Sequence, residues 1–289
     1  MTAITRGRLL TAMAGMALAG TMPMPARAQD GPPANDLLLA ALWMQRSVEY
    51  KANCLTAYTL ARIRFDEALA DKKWTGAPNE QKGDYESLPP AVVLDVDETV
   101  LDNSLYQVWM LKNDKTFSGE TWSKFCSTQT STAIPGAVEF CKYADSKGAK
   151  VFYITNRDAK DKDATKQNME KLGFPMGGNV DVFMTQREKP DWGSAKSTRR
   201  AVITKDYRVL LNLGDNYGDF DDAYRGTEAQ RLAAFEANAQ RFGREWIMIA
   251  NPTYGSFDTA PFGHDFKKSR EEQRKAKWDV LETWAGPTP

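Results

Sequence analysis

The chain has 289 residues, 42% of them hydrophobic and 11% aromatic, with 38 basic and 38 acidic side chains. That is enough apolar material for one domain of ordinary to large size behind a leader. The balanced charge, with no block of one sign, excludes a nucleic-acid polymer or a membrane surface as the evident partner. A single histidine, His264, excludes multi-histidine zinc sites and makes any Ser-His-Asp triad depend on one residue, which reads as surface structure.

Residues 1–28 have the parts of a secretory signal: Arg6 and Arg8, an apolar run from Leu9 to Ala19, then Ala26-Arg27-Ala28 before Gln29. The apolar run falls well short of the roughly 20 residues needed to span a bilayer. No cysteine lies near the cleavage point, so no membrane anchor is expected and the mature chain should be periplasmic or secreted. Residues 29–35 read as a disordered linker and 36–289 as a single domain. Cys54, Cys126 and Cys141 allow one disulfide, with Cys126 and Cys141 the nearer pair, or three buried thiols.

From Asn35 to about Ala70, Leu37, Leu38, Ala41, Leu42, Met44, Val48, Tyr50, Leu55, Tyr58, Leu60, Ile63 and Phe65 recur near the helical period, as two helices or one bent helix. Residues 72–90 read as a loop. Beyond them, apolar strand candidates at Ala91–Leu94, Val151–Thr155, Val180–Met184, Arg208–Leu213 and Trp246–Ala250 alternate with helical segments at Gly136–Lys147, Lys160–Leu172, Ser194–Ile203 and Thr227–Arg241. The alternation predicts an α/β fold over 91–251: a Rossmann-like, mostly parallel sheet with helices on both faces. Residues 105–135 are too long for a simple loop and read as a small helical insertion over the site. The segments 36–72 and 264–285 form a helical layer. Trp278, Leu281 and Trp284 share one face of the tail, which is expected to pack beside the N-terminal helices.

The first apolar strand stops at Asp95, and Asp97 follows two positions on. Side chains at i and i+2 of an extended segment point the same way, and in open α/β sheets chemistry sits beyond the carboxyl ends of the strands. One carboxyl can attack while the other moves a proton, with a cation holding their charge. Thr155 closes the next strand and can offer a hydroxyl and main-chain N–H groups to a phosphate. Lys196 stands near a helix start. Asp215 and Asp219 follow another strand and could hold a hard cation through oxygens.

In this order, Asp-x-Asp, Thr, Lys, Gly-Asp-x-x-x-Asp, the motifs resemble those of the haloacid dehalogenase superfamily of phosphatases. Asp95-Val-Asp97-Glu-Thr-Val-Leu-Asp-Asn103-x-x-Tyr106 resembles the class C acid phosphatases more narrowly. Leu42-Trp43-Met44-Gln45-Arg46-Ser47-x-Glu49-Tyr50-Lys51-Ala52 and Ile134-Pro135-Gly136-Ala137-Val138-Glu139-Phe140 are similar to the lipoprotein e acid phosphatase/5′-nucleotidase group. The resemblance implies roles by position. Asp95 would be the nucleophile and Asp97 the acid and then the base. Thr155 and Lys196 would hold the transferring phosphoryl oxygens and the nucleophile, and Asn156 would bind substrate. Mg2+ would rest on Asp95, the main-chain carbonyl of Asp97, and Asp215, with Asp219 behind. Trp122 and Tyr254 would stack a nucleobase, at about 1–3 kcal/mol per base. The implied substrate is a small phosphomonoester, a 5′-nucleotide above all, and a homodimer is open. The chain departs from the group in Tyr217, where leucine is usual, and in lacking the lipid-attachment cysteine. The competing readings are a receiver-like phospho-acceptor and a catalytically silent phosphate- or nucleotide-binding protein on the same scaffold.

Overall fold

The computed structural model describes residues 35–284 and 286. The predicted signal segment and nearly all of the linker lie outside the described residues. The chain opens on α1 (Leu37–Arg46) and α2 (Val48–Ala70). These are two helices because Ser47 between them is extended, and its hydroxyl oxygen caps α2 by accepting from the Tyr50 N–H.

A five-stranded parallel sheet follows, built from β1 (Pro90–Leu94), β4 (Lys150–Asp158), β5 (Phe183–Gln186), β6 (Arg208–Gly214) and β7 (Trp246–Met248) in the spatial order β5-β4-β1-β6-β7. β1 and β6 are buried almost throughout, which is why they read as largely apolar runs rather than as alternation. Between β1 and β4 lie β2 (Leu101–Asp102), α3 (Ser104–Lys112), α4 (Gly119–Thr128) and β3 (Thr132–Ala133), with β2 and β3 paired antiparallel, and then α5 (Ala137–Ser146). α6 (Lys162–Leu172), α7 (Ser197–Asp206) and α8 (Glu228–Asn238) supply the remaining crossovers. The path runs from β1 to β4 and β5 on one side, then returns past β1 to β6 and β7. Right-handed crossovers in opposite directions place their helices on opposite faces. α2 packs on α5 and β6 and thickens one of them. The reversal lies between β1 and β6, and their carboxyl ends open there.

The segment between α2 and β1 is a loop, as expected for 72–90, but part of it is packed into the core. Trp74 and Ala77 are buried, the Trp74 indole N–H donates to the Leu210 carbonyl at 2.8 Å, and the Gly76 N–H donates to Val209 at 2.7 Å. A Cβ at Gly76 would stand 2.9 Å from the Leu211 backbone, so only glycine allows this approach. The C-terminal segment also differs. After α9 (Ser256–Thr259), α10 spans Arg270–Asp279 and packs on residues 260–262. Trp278, Leu281 and Trp284 are 72%, 69% and 79% exposed, so they are not a packing face. α10 reaches the N-terminal segment by the Arg274–Asp36 ion pair. His264 bonds the Thr259 hydroxyl and the Gly226 carbonyl.

All three cysteines are buried and unpaired, in α2, α4 and α5. Unfolding the protein in denaturant without reductant should therefore expose three titratable thiols. One thiol instead would establish a disulfide, and mapping the thiol to Cys54 would assign it to Cys126 and Cys141.

Candidate active site

Asp95 directly follows β1, and its N–H donates to the Leu213 carbonyl on β6 at 3.0 Å, which fixes it at the switch point. Asp215 directly follows β6, and Asp219 closes the short helical turn after it. Carboxylate oxygens of Asp95, Asp215 and Asp219 all lie within 4.8 Å of one another. Asp219 is drawn in through Gly214, where an added Cβ would sit 2.3 Å from the Asp219 side chain. Its Oδ2 accepts from the Asn216 N–H at 2.9 Å.

The Lys196 ammonium is buried between two of these acids, paired with Asp95 and, at 2.7 Å, with Asp219. Burial alone would lower its pKa, but Asp219 and Asp95 outweigh that and raise it. One ammonium does not balance three carboxylates. Burial, opposed by Lys196 and reinforced by Asp219 and Asp97, pushes the Asp95 carboxyl up to about 7. Burial together with Asp219 and Asp95 holds Asp215 well above the carboxylate range. A buried cluster of oxygen donors with surplus negative charge fits a hard divalent cation.

Asp97 points to the other side of the turn. Its Oδ1 accepts from the Arg157 guanidinium at 2.8 and 2.9 Å and from Asn103 Nδ2 at 2.9 Å, and its Oδ2 accepts from the Thr155 hydroxyl at 3.3 Å. Arg157, itself buried, also donates to Asn103 Oδ1 and Thr165, both at 3.0 Å. The second acid is therefore held in one orientation, apart from the Lys196 cluster. Chemically, the arrangement offers a carboxylate beside a cation site and an oriented carboxyl two residues on.

Of the residues singled out from sequence, Asp95, Asp97, Thr155, Lys196, Asp215 and Asp219 come together at the strand ends. Asn156 is exposed, and its amide donates to the Ser194 carbonyl at 3.0 Å and accepts from Arg199 at 2.7 Å, so it seats the loop that carries Lys196. Trp122, on α4, packs with Tyr106, Phe117 and Phe125 and lies 5.2 Å from the Arg157 guanidinium. Tyr254, beyond β7, donates its hydroxyl to Glu98. Tyr217 stacks on Phe242.

Sequence reasoning missed Glu98, Arg157, Arg199 and Asn251. Arg199 is buried and donates to the main-chain carbonyls of Thr155, Gly193 and Ala195. Asn251 donates to Asp215 Oδ2 at 2.8 Å, and the Thr99 hydroxyl donates to Asp215 Oδ1 at 3.3 Å. A signal was present only for Arg157, which follows Thr155 by two and so shares its side of an extended strand.

A family model described as HAD superfamily, subfamily IIIB (acid phosphatase) matches residues 29–257. The chain belongs to this family. The HAD acid phosphatase also superposes on the class C acid phosphatase of Bacillus anthracis with a TM-score of 0.76 at 32% identity, over 86% of this chain and 97% of that one. The same Bacillus anthracis enzyme with tungstate bound matches with a TM-score of 0.75 at 31% identity, again over 86% and 97%. The HAD-like α/β fold and the phosphomonoesterase class follow. Among its described residues, no helix of this acid phosphatase is long and apolar enough to cross a membrane.

Gly214→Ala would drive a methyl into Asp219, an overpacking that costs about 1–3 kcal/mol. Urea unfolding should show that loss, and phosphatase turnover should fall with it. Full stability and activity would mean that the approach of Asp219 to β6 is not needed.

Proposed function

We propose that this HAD acid phosphatase is an exported, Mg2+-dependent enzyme that hydrolyses 5′-nucleotides through an aspartyl-phosphate on Asp95. The observation that carries the reading is the Asp95 carboxylate at the switch point, paired with Lys196 and lying beside Asp215 and Asp219, with Asp97 held separately by Arg157. The relative that binds tungstate, a phosphate-like oxyanion, supports it. Export rests on the signal pattern of residues 1–28.

An Asp95 oxygen attacks phosphorus. A bond from Asp95 to phosphorus forms as the ester P–O bond breaks, and the leaving oxygen takes the proton of the Asp97 carboxyl. The Asp97 carboxylate then takes a proton from water as the water oxygen attacks phosphorus. The acyl-phosphate P–O bond breaks, releasing phosphate and restoring Asp95 and the protonated Asp97. Lys196 and the Thr155 hydroxyl hold phosphoryl oxygens, and Asn156 keeps the Lys196 loop in place. Mg2+ would rest on Asp95, Asp215 and the Asp97 carbonyl, with Asp219 behind, and when bound it supplies positive charge that lets a dianionic phosphoryl group meet a carboxylate. Trp122 and Tyr254 receive the base.

Phosphate release from a 5′-nucleotide should occur with Mg2+ and stop with a chelator. Release that persists in chelator would overturn the metal dependence. Asp95→Asn should lower turnover at least about a thousandfold, the scale of a lost nucleophile, with an unchanged circular dichroism spectrum. Turnover near that of the parent enzyme would remove Asp95 as nucleophile.

A further inference from the structure

Glu98 follows Asp97 directly, but its side chain leaves the phosphoryl site. It is fully buried. Its Oε1 accepts from the Asn103 N–H at 3.0 Å, and its Oε2 accepts the Tyr254 hydroxyl. Its φ is +57°, a left-handed conformation that glycine or asparagine would take at less cost. A buried carboxyl on an unfavourable backbone persists only when the surrounding structure uses it. Here the use is a link between two distant segments, the turn after β1 and the loop after β7, 156 residues apart in sequence. That loop is tied a second time to the strand ends, because Asn251 donates to Asp215 at 2.8 Å and receives the Thr253 N–H at 2.9 Å. The loop that carries Tyr254 is thus tied both to Asp215, just beyond β6, and, through the Tyr254 hydroxyl, to the turn that carries Asp95 and Asp97. Trp122 is tied to the same turn from the other side, through Arg157 and its bonds to Asp97.

We propose that Glu98 is a positioning residue whose bond to the Tyr254 hydroxyl sets the aromatic platform at a fixed distance from the reacting phosphorus. The enzyme thereby prefers phosphate esters that carry a nucleobase over esters that lack one. This rests on the 5′-nucleotide reading above and adds the element that would enforce it. A ring anchored at its hydroxyl is already ordered when substrate arrives, so stacking does not have to offset the loss of its motion. The same ring without the anchor still stacks, but over a range of positions.

The test compares kcat/KM for adenosine 5′-monophosphate with kcat/KM for glycerol phosphate, each with Mg2+ present. Tyr254→Phe, which keeps the ring and removes the bond, should lower that ratio about fivefold to tenfold, the usual consequence of losing one buried hydrogen bond. The loss should appear mainly in KM for the nucleotide. Glu98→Gln can still accept from Asn103 and donate to the Tyr254 oxygen, so its ratio should stay within about twofold of the parent value. Glu98→Ala should match Tyr254→Phe, and the double variant should show no further drop. Damage to folding lowers both substrates together and leaves the ratio where it was. A ratio unmoved by Tyr254→Phe overturns the proposal, even if Glu98→Ala cannot be purified. Independent, additive losses from Tyr254→Phe and Glu98→Ala overturn it as well. A parent enzyme that cleaves glycerol phosphate as well as the nucleotide fails the 5′-nucleotide reading itself, a separate result.

Discussion

Negative charge gathered at the ends of β1 and β6 is the constraint on which the rest of the structure depends. Asp95, Asp97, Glu98, Asp215 and Asp219 converge there, and burial makes the charges of Asp95, Glu98 and Asp215 harder to hold. Burial and Asp97 push Glu98 up to about 8, so it belongs to the same imbalance. The protein separates the acids by function. Lys196 takes Asp95 and Asp219, Arg157 takes Asp97, Asn251 and Thr99 take Asp215, and Tyr254 takes Glu98. Each acid thus has its own partner, and Asp95 and Asp97, two residues apart, stand in different surroundings.

The supports of this cluster are themselves buried and charged. Arg200 donates to Glu80 at 2.6 and 2.9 Å and to the main-chain carbonyl of Asp219 at 2.7 Å. The segment between α2 and β1, which looks like a polar connector, thereby reaches the turn that carries Asp219. Arg199 does the same for the Thr155 and Lys196 segments. Breaking the Arg200–Glu80 pair would leave an uncompensated charge inside the protein.

Much of this was legible in the amino-acid sequence, and the reason is local. β1 and β6 are buried on both faces, so each appears as a largely apolar stretch that ends at or just before an aspartate, and the two ends mark the switch point. The order of Asp95, Thr155, Lys196 and Asp215 completed the site, and the family resemblance supplied roles. What stayed hidden depends on partners far away in the chain. Nothing near Glu98 announces Tyr254, and nothing near Arg199 announces the carbonyl of Thr155. Trp74 and Gly76 lie in a segment whose Pro, Gly and charged residues read as loop, although β6 covers them. The tail misled in the opposite sense: the spacing of Trp278, Leu281 and Trp284 looks like a packing stripe, but these side chains face water.

The bond from the Tyr58 hydroxyl to the Thr99 carbonyl, at 2.6 Å, ties α2 to the turn that bears the two aspartates. Lys196 reaches Asp95 across 101 residues, and Glu98 reaches Tyr254 across 156. Contacts this long in sequence close late, because the intervening chain must first be ordered. The turn that bears Asp95 and Asp97 therefore completes its contacts only when segments as far along the chain as Tyr254 are in place, and a chain cut short before that loop would lack part of the cluster.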